Sequence, residues 1–216
     1  MSQRDHILPT KNGGNVQASS SIVTEFVQDL LEELLSSDDP LQTIKFSSPK
    51  TIVPGSICIK KLANSFCQAN VARNKTIVAK RSEITLWCLF SERFEDKVVE
   101  LRSNDKKLMD LTARKWIYNE MKPYLTGVSD TYLRVRTCKA RKINKLFDYK
   151  YDPVTLKKID GIPGYMVNRV TCSADSISRL TNPQIEYIIE QVKSKTITSL
   201  VNEISETNTS ANDQLR

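Results

Sequence analysis

Apolar residues recur at helical spacing along much of this 216-residue chain. In residues 21–36 (SIVTEFVQDLLEELLS) they form one stripe, and acidic side chains fill the opposite side, which predicts a short amphipathic helix. The run Asp38-Asp39-Pro40 ends that helix. Residues 1–20 mix turn-forming residues with little hydrophobicity, so we expect a disordered tail there.

A linker at residues 37–56 contains Pro49, Pro54 and Gly55 and separates the acidic helix from a longer helical region. The period of the apolar residues predicts a helical core domain spanning 57–195. A helix starts at Ile57, an uncertain connector lies near Arg73–Thr76, and a longer helix runs from Ser82 to about residue 102.

Two further helices are predicted at about 112–125 and 130–147, joined by a tight turn at Gly127. Thr112 or Asp110 is the candidate N-cap of the first, and Ser129 or Asp130 that of the second. Residues 148–164 suit a loop or a short hairpin, with Tyr149, Tyr151, Val154 and Leu156 as strand candidates.

The C-terminal part of the chain is predicted to hold three helices. Two short ones cover 165–172 and 173–180, and the last begins at Asn182-Pro183, because proline suits the first turn. Residues 205–216 are expected to fray. The fold class is therefore mostly α: an irregular helical bundle containing a helix-turn-helix-like pair, with a tethered N-terminal amphipathic helix.

The net charge of +7 is distributed unevenly. Residues 1–56 carry −3, residues 57–160 carry +11 and residues 161–216 carry −1. A basic excess confined to one region is expected if that region meets phosphate groups, although lysine-rich helices also reach such values for solubility alone.

The helix at 130–147 carries the candidate chemistry. Its apolar side holds Leu133, Ala140, Ile143 and Phe147, and its opposite side is cationic. The short turn before it is that of a helix-turn-helix, whose second helix enters the major groove of DNA. We therefore predict nucleic-acid-binding residues on both helices: Arg134, Thr137, Lys139, Arg141, Lys142, Asn144 and Lys145 on the second, with Arg114 and Lys115 on the first.

Two alternatives stay open beside this leading interpretation. In the first, the basic side is only the solvated surface of an ordinary helical hairpin. The acidic helix at 21–36 either folds back on the core or docks into the groove of a protein partner or a second copy, which is the alternative function: an interaction module or adaptor. The partner-binding residues would then be Phe26, Leu30, Leu31 and Leu34.

The sequence offers few residues for an enzymatic function, and we predict a non-enzymatic protein without cofactor or metal. The one histidine, His6, lies in the predicted tail, which removes Ser–His and Cys–His nucleophiles and histidine metal sites. Five cysteines without a CxxC pair favour reduced thiols over a disulfide framework. No signal peptide or membrane span is expected, so the predicted location is intracellular, in the nucleus or the cytoplasm.

Two segments, TYLRVRTCKARKINKLF and TCSADSISRLTNPQIEYIIEQV, resemble a large family of fungal paralogues of unknown function. The resemblance runs from about Leu108 to Val192, under half of the chain. It implies a reusable helical module that is often joined to variable ends. It supplies no activity and no functional residues, and it is compatible with both DNA binding and protein interaction.

Overall fold

The computed structural model describes residues 22–36, 40–41, 56–148 and 161–196, with the side chains of 56–58 left out. The predicted tails and strand candidates at 149–156 lie outside these ranges. The described chain is mostly helical, as predicted. Its elements are α1 (Glu25–Leu35), α2 (Ser56–Asn104), α3 (Asp110–Met121), a 3₁₀ turn (Lys122–Tyr124), α4 (Asp130–Leu146), β1 (Phe147–Asp148), β2 (Ile162–Pro163), a 3₁₀ helix (Gly164–Arg169), α5 (Ala174–Ser178) and α6 (182–196).

Helix α2 is a single helix of 49 residues, and the connector predicted near Arg73–Thr76 is wrong. No glycine or proline occurs between Ser56 and Asn104, so nothing interrupts the backbone hydrogen bonds. Thr76 donates its hydroxyl to the carbonyl of Ala72 at 3.0 Å instead of competing for a turn. At about 1.5 Å per residue, the helix is about 73 Å long.

Helix α1 packs on the core, which answers the question that the sequence left open. Val27, Leu30 and Leu34 are buried in the main apolar cluster together with Ile84 of α2. The Thr24 hydroxyl caps the helix by accepting from the Val27 amide at 3.4 Å. The acidic helix is thus part of the bundle, and most of the predicted linker, at 37–39 and 42–55, lies outside the described residues.

Polar contacts hold both ends of α1 in place. Arg169 donates to the carbonyl of Leu34 at 2.8 Å. The amide of Thr171 donates to a Glu33 carboxylate oxygen at 2.9 Å. At the other end, the Gln184 side chain donates to the carbonyl of Ile22 at 3.2 Å. These contacts fix the orientation of a helix that is too short to be stable alone.

The pair α3–α4 departs from a helix-turn-helix. Each of the two helices packs mainly on α2 and neither packs extensively on the other. Residues 122–129 separate them, including a proline-containing 3₁₀ turn, whereas the motif has a turn of about three or four residues. Gly127 adopts φ 78° in this connection, a conformation that glycine takes without strain.

The caps were predicted with mixed success. Ser129 caps α4 as expected, accepting from the Tyr132 amide at 3.1 Å. The cap position of α3 is Met109, which supplies no side-chain cap, so the prediction of Thr112 or Asp110 is wrong. Helix α6 starts as expected, and Thr181 and Gln184 bond reciprocally there, with the Thr181 amide 2.9 Å from the Gln184 side-chain oxygen.

A short parallel pair of strands closes the core. Phe147 pairs with Ile162, and both are fully buried. Gly161 precedes β2, and a Cβ on it would lie 2.8 Å from the carbonyl oxygen of Leu146. The backbone at the end of α4 therefore approaches the chain before β2 more closely than any side chain allows.

Candidate interaction surfaces

The cations predicted on α4 mostly contact other parts of the bundle. Lys139 pairs with Asp175 of α5, and Lys145 pairs with Glu186 of α6 at 2.8 Å. Lys142 donates to the carbonyl of Leu180 at 3.2 Å. The basic side of this helix therefore attaches the C-terminal helices, which is a structural role.

A carboxylate on α2 takes two more of the predicted cations. Glu95 accepts hydrogen bonds from both terminal nitrogens of Arg114 at 2.7 Å each. Nε of Arg141 lies 2.9 Å from the same carboxylate. Nε of Arg114 also donates to Asp110 at 2.7 Å, and this hydrogen bond lowers the pKa of the Asp110 carboxyl below its usual value. One glutamate thus joins α2, α3 and α4.

Four predicted residues remain. Thr137 is 1% exposed and donates its hydroxyl to the carbonyl of Leu133 at 2.9 Å, so its predicted base contact is corrected: it has no free surface. Asn144 is half-buried. Arg134 and Lys115 are exposed and form no ion pair with the described residues. The structure does not assemble the nine predicted residues into one open cationic face.

The α1 residues predicted to bind a partner pack in or against the main apolar cluster of the bundle. Leu30 and Leu34 are buried, and Phe26 and Leu31 pack against the same cluster. A partner could reach them only if α1 left the core. The structure thus removes the predicted docking surface on this helix.

A different surface becomes visible because α2 is continuous. Its N-terminal part, residues 59–76, hereafter the arm, is almost entirely exposed. Ile59, Leu62 and Phe66 fall on one side of it, and they are 66%, 61% and 64% exposed, respectively. We call these three residues the apolar stripe. Sequence reasoning missed the arm because a break was predicted within it, although the absence of glycine and proline was visible.

The other side of the arm is cationic. Lys60, Lys61 and Lys75 are exposed opposite the apolar stripe and form no ion pair with the described residues. Residues 56–82 contain six Lys and Arg and no Asp or Glu. No acidic neighbour on the arm itself neutralises these charges, in contrast to the cations of α4.

The base of the arm touches the chain that follows α1. Arg73 lies on the side of the apolar stripe and donates to the carbonyl of Pro40 at 3.4 Å. One turn further on, Ile77 is buried, and Lys80 and Arg81 donate to the carbonyls of Thr171 and Val170. The helix therefore passes from full exposure to full burial along one face.

Few groups suited to catalysis occur in the described ranges. A small cleft of about 10 Å³ lies beside Trp87 and Arg136, and the Lys139–Asp175 pair lines it. Among the residues the structure describes, no group of His, Cys, Asp and Glu could hold a metal ion. Burial raises the pKa of the Cys88 and Cys172 thiols to about 12, which disfavours the reactive thiolate.

The comparisons with known proteins give no match: no protein-family model, no curated protein and no solved structure is similar to this chain. None of the helices in the described part of the chain is both long and apolar enough to cross a lipid bilayer.

Proposed function

We propose that this protein is a non-enzymatic nucleic-acid-binding protein and that its main contact surface is the cationic side of the arm. The observation that carries the proposal is the charge of the arm: it holds four cations and no acid, and three of them, Lys60, Lys61 and Lys75, are exposed and form no ion pair with the described residues. Nucleic-acid affinity depends first on Lys and Arg that are free to displace counterions from phosphates.

The shape of the arm supports the same function. A single helix of about 10–12 Å diameter fits the major groove of B-DNA, which is about 12 Å wide. The arm is a continuous helix, and the described residues leave most of its circumference exposed. Helix α4 is covered by α2 and α5, and four of its cations pair within the chain, so it suits this role less well.

Arg134 and Lys115 supply a secondary contact in this proposal. Both are exposed, and neither forms an ion pair with the described residues. They lie on the two helices that were predicted to contact nucleic acid, and they retain that predicted role. A nuclear or cytoplasmic location is part of this proposal.

The test is fluorescence anisotropy of the full chain with labelled duplex DNA and single-stranded RNA at about 50 and 200 mM salt. Sequence-independent binding on the order of 10⁻⁴ to 10⁻⁶ M is expected at physiological salt. Reversing Lys60, Lys61 and Lys75 to Glu should lower the affinity at least tenfold. Because each phosphate contact contributes about 0.9 to the salt slope, that slope should fall by about 3 for duplex DNA.

A matched variant reverses Arg93, Lys106 and Lys107, which are exposed elsewhere and form no ion pair with the described residues. Its change in net charge is identical, so equal losses in both variants would attribute the binding to overall charge and contradict the arm. If Arg134→Glu with Lys115→Glu abolishes binding while the arm variant binds normally, the site lies on α3 and α4. Absence of binding at low salt would refute the proposed function.

A further inference from the structure

We infer that the apolar stripe of the arm docks an acidic amphipathic helix from a partner protein. Ile59, Leu62 and Phe66 recur at helical spacing, and each exposes more than 60% of its surface. Large apolar side chains that are exposed singly need no explanation, but three in one row form a contiguous patch. Such i, i+3, i+7 anchors are typical of helix-in-groove recognition.

The stripe continues a surface that is buried further along α2. At about 3.6 residues per turn, the side of the helix that carries Ile59 and Phe66 also carries Ile77, Ile84 and Cys88. These three residues are at most 4% exposed. The same face is therefore covered in the bundle and uncovered in the arm.

Residues beside the stripe allow another helix to approach closely. Ala63 and Ala69 lie next to it and are exposed. Small residues at an interface reduce the distance between two helix axes, which is usually about 8–10 Å. A helix therefore fits this surface better than an irregular loop.

Charge indicates the kind of helix. Lys60, Lys61, Arg73 and Lys75 give the arm a charge of +4 without a compensating acid. The helix is about as thick as the Debye length at 0.1 M salt, about 10 Å, so cations on its far side still act on a docked partner. A partner with Asp and Glu around an apolar stripe is the complementary ligand.

The bundle already contains a helix of this chemistry in its core. Helix α1 presents Val27, Leu30 and Leu34 to the cluster that includes Ile84 and Cys88, and Glu25, Asp29, Glu32 and Glu33 fill its other side. A second acidic amphipathic helix would pack on the stripe in the way that α1 packs on Ile84 and Cys88. A second copy of the arm would instead bring +4 against +4, and this repulsion disfavours self-association through the stripe.

Substitutions in the apolar stripe test this inference while the cations of the proposed function stay in place, so failure of the one can be distinguished from failure of the other. The probe is a fluorescein-labelled peptide with the sequence of residues 21–36, an acidic amphipathic segment, titrated with the full chain. Leu62→Ser with Phe66→Ser should weaken binding at least tenfold. The same variant should bind duplex DNA like the original protein, which separates this result from the arm's cationic role.

Two controls make the result specific. Leu86→Ser with Val99→Ser removes two equally exposed apolar residues elsewhere on α2 and should leave peptide binding unchanged. A peptide with Asn and Gln in place of Asp29, Glu25, Glu32 and Glu33 should bind at least fivefold more weakly, because the charge complementarity is lost. Circular dichroism and thermal melts confirm that each variant is folded.

Several outcomes would overturn the inference. Peptide binding that survives in the stripe variant would place the contact elsewhere. A dimer in analytical ultracentrifugation that the stripe variant converts to monomer would show that a second copy covers the stripe. Peptide binding that appears only after residues 42–55 are replaced by a Gly/Ser linker would show that this segment of the chain itself is the occupant.

Discussion

Glu95 grips Arg114 with both carboxylate oxygens, Oε1 lying 2.7 Å from one terminal nitrogen and Oε2 2.7 Å from the other. Paired contacts of this kind are stronger and more directional than a single ion pair. The Arg114 side chain is 13% exposed, so water competes little for it. Arg141 reaches the same carboxylate from α4, which makes Glu95 the junction of three helices.

Arg114→Ala should therefore destabilise the protein by about 1–3 kcal/mol, because Glu95 loses two hydrogen bonds in a partly buried setting. Arg141→Ala should cost less than about 1 kcal/mol, because that side chain is 47% exposed. Urea unfolding followed by tryptophan fluorescence measures both. Equal effects of the two variants would mean that burial does not govern this cluster.

The burial of α1 predicts a clear effect of truncating its stripe. Leu34→Ala should lower the free energy of unfolding by about 2–5 kcal/mol, because Leu34 is fully buried and its removal leaves a cavity. Asp29→Ala on the exposed side should change it by less than about 0.5 kcal/mol. If Leu34→Ala had no effect on thermal melts, α1 would not belong to the core.

Gly161 should be intolerant of substitution for a steric reason. A Cβ there would meet backbone atoms at 2.8, 3.0 and 3.1 Å, so Gly161→Ala should destabilise the β1–β2 pair by about 1–3 kcal/mol. Gly127→Ala tests backbone conformation alone, because nothing lies within 4 Å and only its φ of 78° is unfavourable. Its cost should be about 1–2 kcal/mol. Calorimetry of both variants separates the two causes.

Acid should weaken the attachment of α5 to α4. Hydrogen bonds from Lys139 and then Arg179 lower the pKa of Asp175. A carboxyl whose pKa is depressed in the folded state stabilises the protein above its unfolded pKa, about 3.9, and this contribution is lost as pH falls through the folded pKa. Melting temperatures measured from pH 6 to 2 should fall below about pH 4. The fall should be shallower in Asp175→Asn, and a parallel fall would contradict the assignment.

Cysteine reactivity should follow burial. Cys138 is exposed, whereas Cys88 and Cys172 have thiol pKa values raised to about 12 mainly by burial. A brief pulse of N-ethylmaleimide at pH 7.5 should label Cys138 about 100-fold faster than the other two, because only the thiolate reacts. Peptide mass spectrometry gives the rates. Comparable labelling of Cys88 would show that the core opens readily.

Two local features were predicted correctly from the sequence, whereas the tertiary contacts of α4 were not. The Ser129 cap and the start of α6 depend on neighbouring residues, so their patterns were sufficient. The partners of Lys139 and Lys145 lie 36 and 41 residues away in the sequence, and the sequence of α4 alone does not predict them. The basic side of α4 was visible in the sequence, but its use in holding the bundle together was not.

The break predicted at Arg73–Thr76 failed for a different reason. Asn74 and Thr76 have modest helix propensities, and each costs only a few tenths of a kcal/mol relative to alanine. Since helix propagation is cooperative, such residues do not end a helix that contains no glycine or proline. The modest helix propensities of Asn74 and Thr76 were therefore a poor guide to where α2 begins.

Because α2 is continuous, the direction in which the apolar stripe faces is fixed relative to the buried face of the same helix. Each residue turns the helix by about 100°, so the number of residues between the apolar stripe and Ile77 decides which way the stripe faces. Inserting one residue near Ala72 would turn the stripe away from the buried face by more than a quarter of a revolution, whereas seven would nearly restore it. The spacing of this stretch is thus constrained even at positions where the side chains are exposed.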